Sequence, residues 1–168
     1  INDVMDISKI EAGKQPVHNH DFDLNDLIWE LDSHFGPLCR DKGLEWFMEG
    51  FPGEMALPVY GDERKIRQVL NNLLDNAIKF TESGKVELRV QTRPGNQYLF
   101  EVLDTGFGIP EDKQSSIFNI FEQAEQGVRK GGTGLGLAIC KRLVQLMGGE
   151  LYLVSQADRF SRFYFTLT

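Results

Sequence analysis

The sequence predicts an α/β fold of the α+β kind: a two-layer sandwich, with a mixed sheet of about five strands and three main helices on one face. Three observations carry this expectation. Strand-like segments occur early, in the middle and late, and helical segments lie between them. Two of the middle strands, 85–92 and 97–105, are separated only by "RPGN", a hairpin turn signal, so the sheet cannot be purely parallel. The helical segments each gather their apolar residues on one side, as elements of a single covering layer do.

Residues 1–14 place Ile1, Val4, Met5, Ile7 and Ile10 on a helical stripe that Gly13 can stop. So short a helix is marginal alone, which suggests the continuation of a longer one upstream. Residues 15–22 read as extended after Pro16. Asp23 or Asn25 can cap the next helix, with Leu24, Leu27, Ile28, Leu31 and Phe35 at helical spacing, Pro37 as a kink and Gly43 after its end. A strand follows at 44–49, then the loop "PGEMALP" and a short strand at 59–60. Asp62 starts a strong helix whose inner face is Ile66, Val69, Leu70, Leu73, Ala77 and Phe80. After the hairpin come a Gly/Pro loop (106–110), a short helix to Ile117 and a polar stretch (122–133). A helix at 135–147 ends at Gly148 and Gly149, and strands at 150–155 and 160–167 close the chain.

With 168 residues there is length for one ordinary core. The net charge of −7 argues against a dedicated nucleic-acid or anionic-membrane surface. Cys39 and Cys140 form neither a metal-ligand spacing nor a disulfide framework and read as reduced cytosolic thiols. No apolar run reaches the roughly 18 residues of a membrane span. The chain begins at Ile1, without Met and already in helical register, so we read it as a fragment of a longer protein. The fragment is expected in the cytoplasm, whether or not its parent is anchored in the inner membrane.

Chemistry concentrates in three places. "KGGTGLGLAIC" (130–140) sets four glycines before an apolar helix. Phosphates bind where backbone N–H groups converge at a helix N-terminus and no side chain intervenes. The dinucleotide fingerprint fails, because its third glycine falls on Leu137, and the P-loop fails, because Leu137 follows Gly136. A flexible hinge is the plainer reading. "DTGFGIP" (104–110) ends an apolar strand with Asp104 and continues through Gly106 and Gly108. This suggests a carboxylate where backbone allows close approach, or simply an Asp opening a turn. The helix at 62–80 carries Asn72 and Asn76 at i, i+4, with Lys79 three residues on. Asparagine is poor in mid-helix. An amide oxygen suits Mg²⁺ and an ammonium suits phosphate, while a solvated face is the alternative.

Taken together, "RQVLNNLLDNAIKFT", "DTGFGIP", "IFNIFEQ" and "GGTGLGLAI" resemble, in this order, the N, G1, F and G2 boxes of the sensor histidine kinase ATP-binding domain. Its GHKL superfamily, with a Bergerat-type fold, also includes DNA gyrase, mismatch-repair ATPases and a heat-shock chaperone. The resemblance covers residues 15–168 as the catalytic domain and makes 1–14 the end of the dimerisation helix. It implies that Asp104 accepts a hydrogen bond from the adenine amino group. Gly106 and Gly108 let backbone approach the base, Ile109 lines the pocket and Phe80 packs near the adenine. Asn76 is implied as the Mg²⁺ ligand, Asn72 as a contact to phosphate or metal-bound water, and Lys79 as a phosphate contact. Phe118 and Phe121 would anchor a lid (122–133), with Arg129 and Lys130 as further charges. Gly132, Thr133, Gly134, Leu135, Gly136 and Leu137 would complete the ATP site.

Related ATPases carry a glutamate where this chain has Asn72. An amide is no general base near neutral pH, so slow hydrolysis and phosphoryl transfer to a histidine are expected. His18, His20 and His34 lack the Ser/Thr-His-Glu context of the acceptor, which the resemblance places on an upstream dimerisation domain. A response regulator or receiver domain and a homodimeric parent are the further implied partners. The alternative is a nucleotide-binding regulatory module that docks on another kinase without phosphotransfer. "DFDLND" mimics a calcium loop through Asp21, Asp23 and Asn25 but has Asp26 at its sixth position and Asp32 at its twelfth. The family's Gly-x-Gly turn before the last strand is replaced by "QADRFSRFYF", which puts that hairpin's geometry in question.

Overall fold

A computed structural model describes residues 8–9, 16–50, 56–118 and 136–168. Its elements are β1 (His20–Asp23), α1 (Leu24–Lys42), β2 (Glu45–Glu49), β3 (Pro58–Gly61), α2 (Glu63–Phe80), β4 (Lys85–Arg93), β5 (Gln97–Asp104), α3 (Glu111–Gln114), α4 (Gly136–Leu146), β6 (Leu151–Gln156) and β7 (Phe160–Leu167). The expected mixed sheet is present, in the order β2-β4-β5-β7-β6. β2 and β4 are parallel and the other pairs antiparallel. The helical layer covers one face. The expected helix over 1–14 lies outside the described residues except for Ser8 and Lys9, which are helical.

Local chemistry accounts for the boundaries. Asp23 caps α1 by accepting from the Asn25 N–H, and Asp62 caps α2 by accepting from the Lys65 N–H. α1 runs through Pro37 and stops at Gly43, which takes φ 80° while the Leu44 N–H reaches back to the Cys39 carbonyl. Gly148, at φ 87°, ends α4 in the same way.

Between the layers, Leu27, Ile28, Leu31 and Phe35 of α1 meet Val69, Leu70, Leu73 and Leu74 of α2 and Ile139, Leu143 and Val144 of α4. Beneath them lie Val86, Leu88, Phe100, Val102 and Phe165 of the sheet, with Phe100 and Phe165 stacked at 5.0 Å. The opposite sheet face carries an ion network: Arg89 pairs with Glu87 and Glu49, and Arg162 with Glu101.

Two features depart from the sequence reading. β1 and β3 form a separate two-stranded antiparallel ribbon. Phe80 is only half-buried, because it ends α2 at the rim of the core, whereas Leu74 and Lys65 join the buried residues of that helix.

Candidate functional site

α2 is amphipathic in an uncommon sense: its second face carries amides and a cation. Asn72, Asn76 and Lys79 run along it towards Phe80. The Asn72 Nδ2 is buried and has no hydrogen-bond partner among the described residues. An orphaned amide of this kind costs free energy unless something else meets it. The Lys79 ammonium lies 5.6 Å from the centre of the Phe80 ring.

β5 delivers Asp104 to the end of α2. The residue sits in ladder register between Val86 and Ser161 and is 6% exposed. Its Oδ1 accepts from the Gly106 N–H at 2.9 Å, so Asp104 does open a turn, as the plain reading has it. Burial pushes its carboxyl up to about 6, against the lowering effect of the Gly106 N–H. A buried acid with a raised titration and one hydrogen bond among the described residues is a candidate for a site as well as a turn former.

The glycines show why side chains are missing. A Cβ on Gly106 would fall 2.4 Å from the Phe80 carbonyl oxygen, so the turn after β5 lies directly on the end of α2. Gly108 takes φ 65°, and a Cβ there would fall 2.0 Å from the Gln156 carbonyl. A Cβ on Gly136, the first residue of α4, would come within 4.0 Å of the Asn76 Nδ2. The asparagine helix therefore touches the Asp104 loop at its end and the start of α4 along its side. Leu137, one residue on, is half-buried and packs against the core. Gly132, Thr133, Gly134 and Leu135 lie outside the described residues, as do Phe121, Arg129 and Lys130. Phe118 packs edge-on against Phe163 at 6.1 Å, with the Lys141 ammonium 5.3 Å from its ring centre.

Several positioning contacts escape a sequence reading. The Ser155 hydroxyl accepts from the Ile109 N–H at 2.7 Å and donates to the Phe160 carbonyl at 2.8 Å. Gln114 Nε2 donates to the carbonyls of Ile109 and Ser155. The Asp158 N–H donates to the Phe107 carbonyl at 2.5 Å. The β6–β7 hairpin is thus the seat of the loop 106–110. Its geometry is regular, with Gln156 opposite Phe160 and Asp158 taking φ 63° where a glycine would be easier. Only the alternation of small polar residues at Ser155 and Ser161 hints at this role in the sequence.

The histidines are occupied elsewhere. The His18 backbone donates to Asp62, His20 Nε2 lies 3.2 Å from Glu63, and His34 packs edge-on against Phe35. Among the described residues no three His, Cys, Asp or Glu side chains are grouped to hold a metal ion. None of the helices described is long and apolar enough to cross a membrane.

Comparison with known proteins agrees with the fold. A family model described as histidine kinase-, DNA gyrase B- and HSP90-like ATPase matches residues 61–168. The signal transduction histidine-protein kinase BarA of Escherichia coli is 40% identical over 98% of this chain and 18% of its own length. The autoinducer 2 sensor kinase/phosphatase LuxQ of Vibrio cholerae is 38% identical over 97% of this chain and 20% of its own length. The chain spans about a fifth of the length of these curated relatives. Among solved structures, full-length ShkA in complex with AMPPNP superposes with a TM-score of 0.84, at 31% identity, over 99% of this chain and 34% of ShkA. The histidine kinase ThkA in complex with the response regulator TrrA gives 0.75 at 26% identity, over 98% of this chain and 46% of that one.

Proposed function

The chain belongs to the histidine kinase-, DNA gyrase B- and HSP90-like ATPases, and from that premise we propose that it binds Mg-ATP and donates the γ-phosphate to a histidine. The acceptor would lie on an upstream dimerisation domain, to which residues 1–14 would belong, in a homodimeric two-component kinase. A response regulator or receiver domain would take the phosphate next. ThkA, solved with such a regulator, supports that partner class.

One observation carries the reading: Asp104, the Phe80 carbonyl and Gly106 are in contact at one end of α2, while Asn76 meets the start of α4. Asp104 would offer its second carboxylate oxygen to an exocyclic amine, in a turn whose glycines Gly106 and Gly108 pack on the Phe80 and Gln156 carbonyls. Ile109, held by Ser155 and Gln114, forms an apolar wall for the base. Phe80 lends ring edge to the same wall. Lys79 holds a phosphate oxygen by charge.

The residues present fit the metal and the triphosphate. Asn76 supplies one amide oxygen, in keeping with an ion that retains water and phosphate oxygens. The orphaned Asn72 amide gains a partner when phosphate or its hydration shell is nearby. When bound, Mg²⁺ neutralises phosphate charge. The chain's own contribution would be positioning and electrostatic hold by Lys79 and by backbone N–H groups of the glycine segment, to which we assign Gly132, Thr133, Gly134, Leu135, Gly136 and Leu137. Asn72 cannot take a proton from water, which favours transfer over hydrolysis.

Two measurements test this. Calorimetry with ADP should show Asp104→Asn folded and at least about tenfold weaker, the worth of a charge-assisted hydrogen bond. Unchanged affinity would reject the pocket. Mixing the chain with the upstream domain bearing its histidine, plus labelled Mg-ATP, should give acid-labile, base-stable phosphoprotein. Tight nucleotide binding without label would instead support a regulatory module.

A further inference from the structure

α2 ends abruptly. Thr81 follows it in an extended conformation (φ −106°, ψ 113°), without the left-handed glycine that usually gathers the last carbonyls. Those carbonyls are met from elsewhere. The Thr81 hydroxyl donates to the Ala77 carbonyl at 2.7 Å. The Lys42 ammonium, at the end of α1, donates to the Ile78 carbonyl at 2.5 Å and the Lys79 carbonyl at 3.3 Å. The next carbonyl, that of Phe80, is the one against which Gly106 packs.

We propose that Lys42 is a positioning residue of the nucleotide site. It clamps the α2 terminus to α1 and offsets the negative end of the helix in the turn that carries Lys79, the proposed phosphate contact. The proposal rests on the nucleotide reading above. Lys42 itself lies in the last turn of α1, so the one cation joins the C-terminal ends of two helices. The partial negative charge at a helix C-terminus falls off within one turn. Left bare, the α2 end would repel an anionic ligand held by Lys79. It would also be free to shift against Gly106, on which the Asp104 geometry depends. Arginine can repeat the clamp, because it is cationic and has several donors, whereas methionine fills similar space without charge or donor.

The test uses the whole chain, with ADP (no added metal) and adenosine as the probes, in calorimetric titrations. Wild-type protein should bind ADP. Lys42→Met should lose about threefold in ADP affinity and clearly less for adenosine, as expected for an exposed, uncancelled helix end near Lys79. Lys42→Arg should recover most of the loss. Should Lys42→Met fold poorly, Lys42→Gln keeps an N–H donor without charge and should show the same fall in the ADP-to-adenosine ratio. Wild-type protein that binds no ADP overturns the nucleotide reading and this one with it. ADP binding by wild type with no change in Lys42→Met overturns the role of Lys42 alone. So does an equal loss for both ligands, or an unchanged ratio in Lys42→Gln, because a merely structural residue would behave in that way.

Discussion

At 6% exposure, with its titration pushed up to about 6 by burial, the Asp104 carboxyl holds opposite consequences for folding and for binding. The folded-state value lies above the ordinary 3.8, so folding favours the protonated acid. Its contribution to stability is complete below the unfolded value and is lost as pH rises towards 6. Asp104→Asn keeps an oxygen for the Gly106 N–H but removes the charge. The empty domain should therefore gain on the order of 2 kcal/mol at pH 8, with the gain vanishing near pH 4, in urea melts at several pH values. Nucleotide affinity should move the other way: an amino group needs the carboxylate as acceptor, so wild-type affinity for ADP should fall as pH drops through 6. Calorimetry between pH 5 and 8 checks this, and a flat profile would remove Asp104 from the base contact. The position was legible in the sequence because an Asp ending an apolar strand before two glycines is a local pattern. Its dryness was not, since that depends on Val86, Ser161 and the end of α2 closing around it from distant parts of the chain.

α2 shows how one element is held at both ends. At its start, Asp62 caps the helix, accepts from the His18 N–H at 2.8 Å and pairs with the buried Lys65 at 3.0 Å. Lys65 in turn donates to the Pro16 carbonyl at 2.7 Å, tying the entering chain to the helix. Breaking a buried pair from one side leaves an uncompensated charge. Asp62→Asn, which can keep the cap acceptor, should therefore cost about 3 kcal/mol. Joining it with Lys65→Met should return most of that loss, and a double-mutant cycle by urea denaturation reads the coupling directly. Additive losses would show that cap and strap matter more than the charges. The cap was visible in the sequence as an Asp before an apolar helical stripe. The pair was not, because i, i+3 spacing is equally common on solvated faces. Nor was the β1–β3 ribbon, whose four-residue strands are too short to establish a period. Contacts such as Lys42 to Ile78 and Ser155 to Ile109 link residues 36 and 46 positions apart, and no local signal announces them.

For the molecule as a whole, the architecture was readable because hairpin turns, helical stripes and strand alternation are local and mutually consistent. One core runs through both layers, and the site lies on that core's rim, where α2 touches the Asp104 loop and the start of α4. On the proposed reading, a nucleotide at that rim would bridge the sheet (through Asp104), the helical layer (through Asn76 and Lys79) and the β6–β7 hairpin that seats Ile109. It should therefore stabilise the molecule as a unit and not as a detached loop. Thermal unfolding should be a single transition. ADP at a hundredfold excess over its dissociation constant should add about 2.7 kcal/mol, a rise of about 5–11 °C for a chain of this size. Adenosine should produce a smaller shift at equal concentration, and Asp104→Asn should lose most of the ADP shift while starting from a higher midpoint at pH 8. Scanning calorimetry of both proteins with both ligands separates these outcomes. Two resolved transitions, with only one moved by ADP, would mean that the rim is not coupled to the shared core.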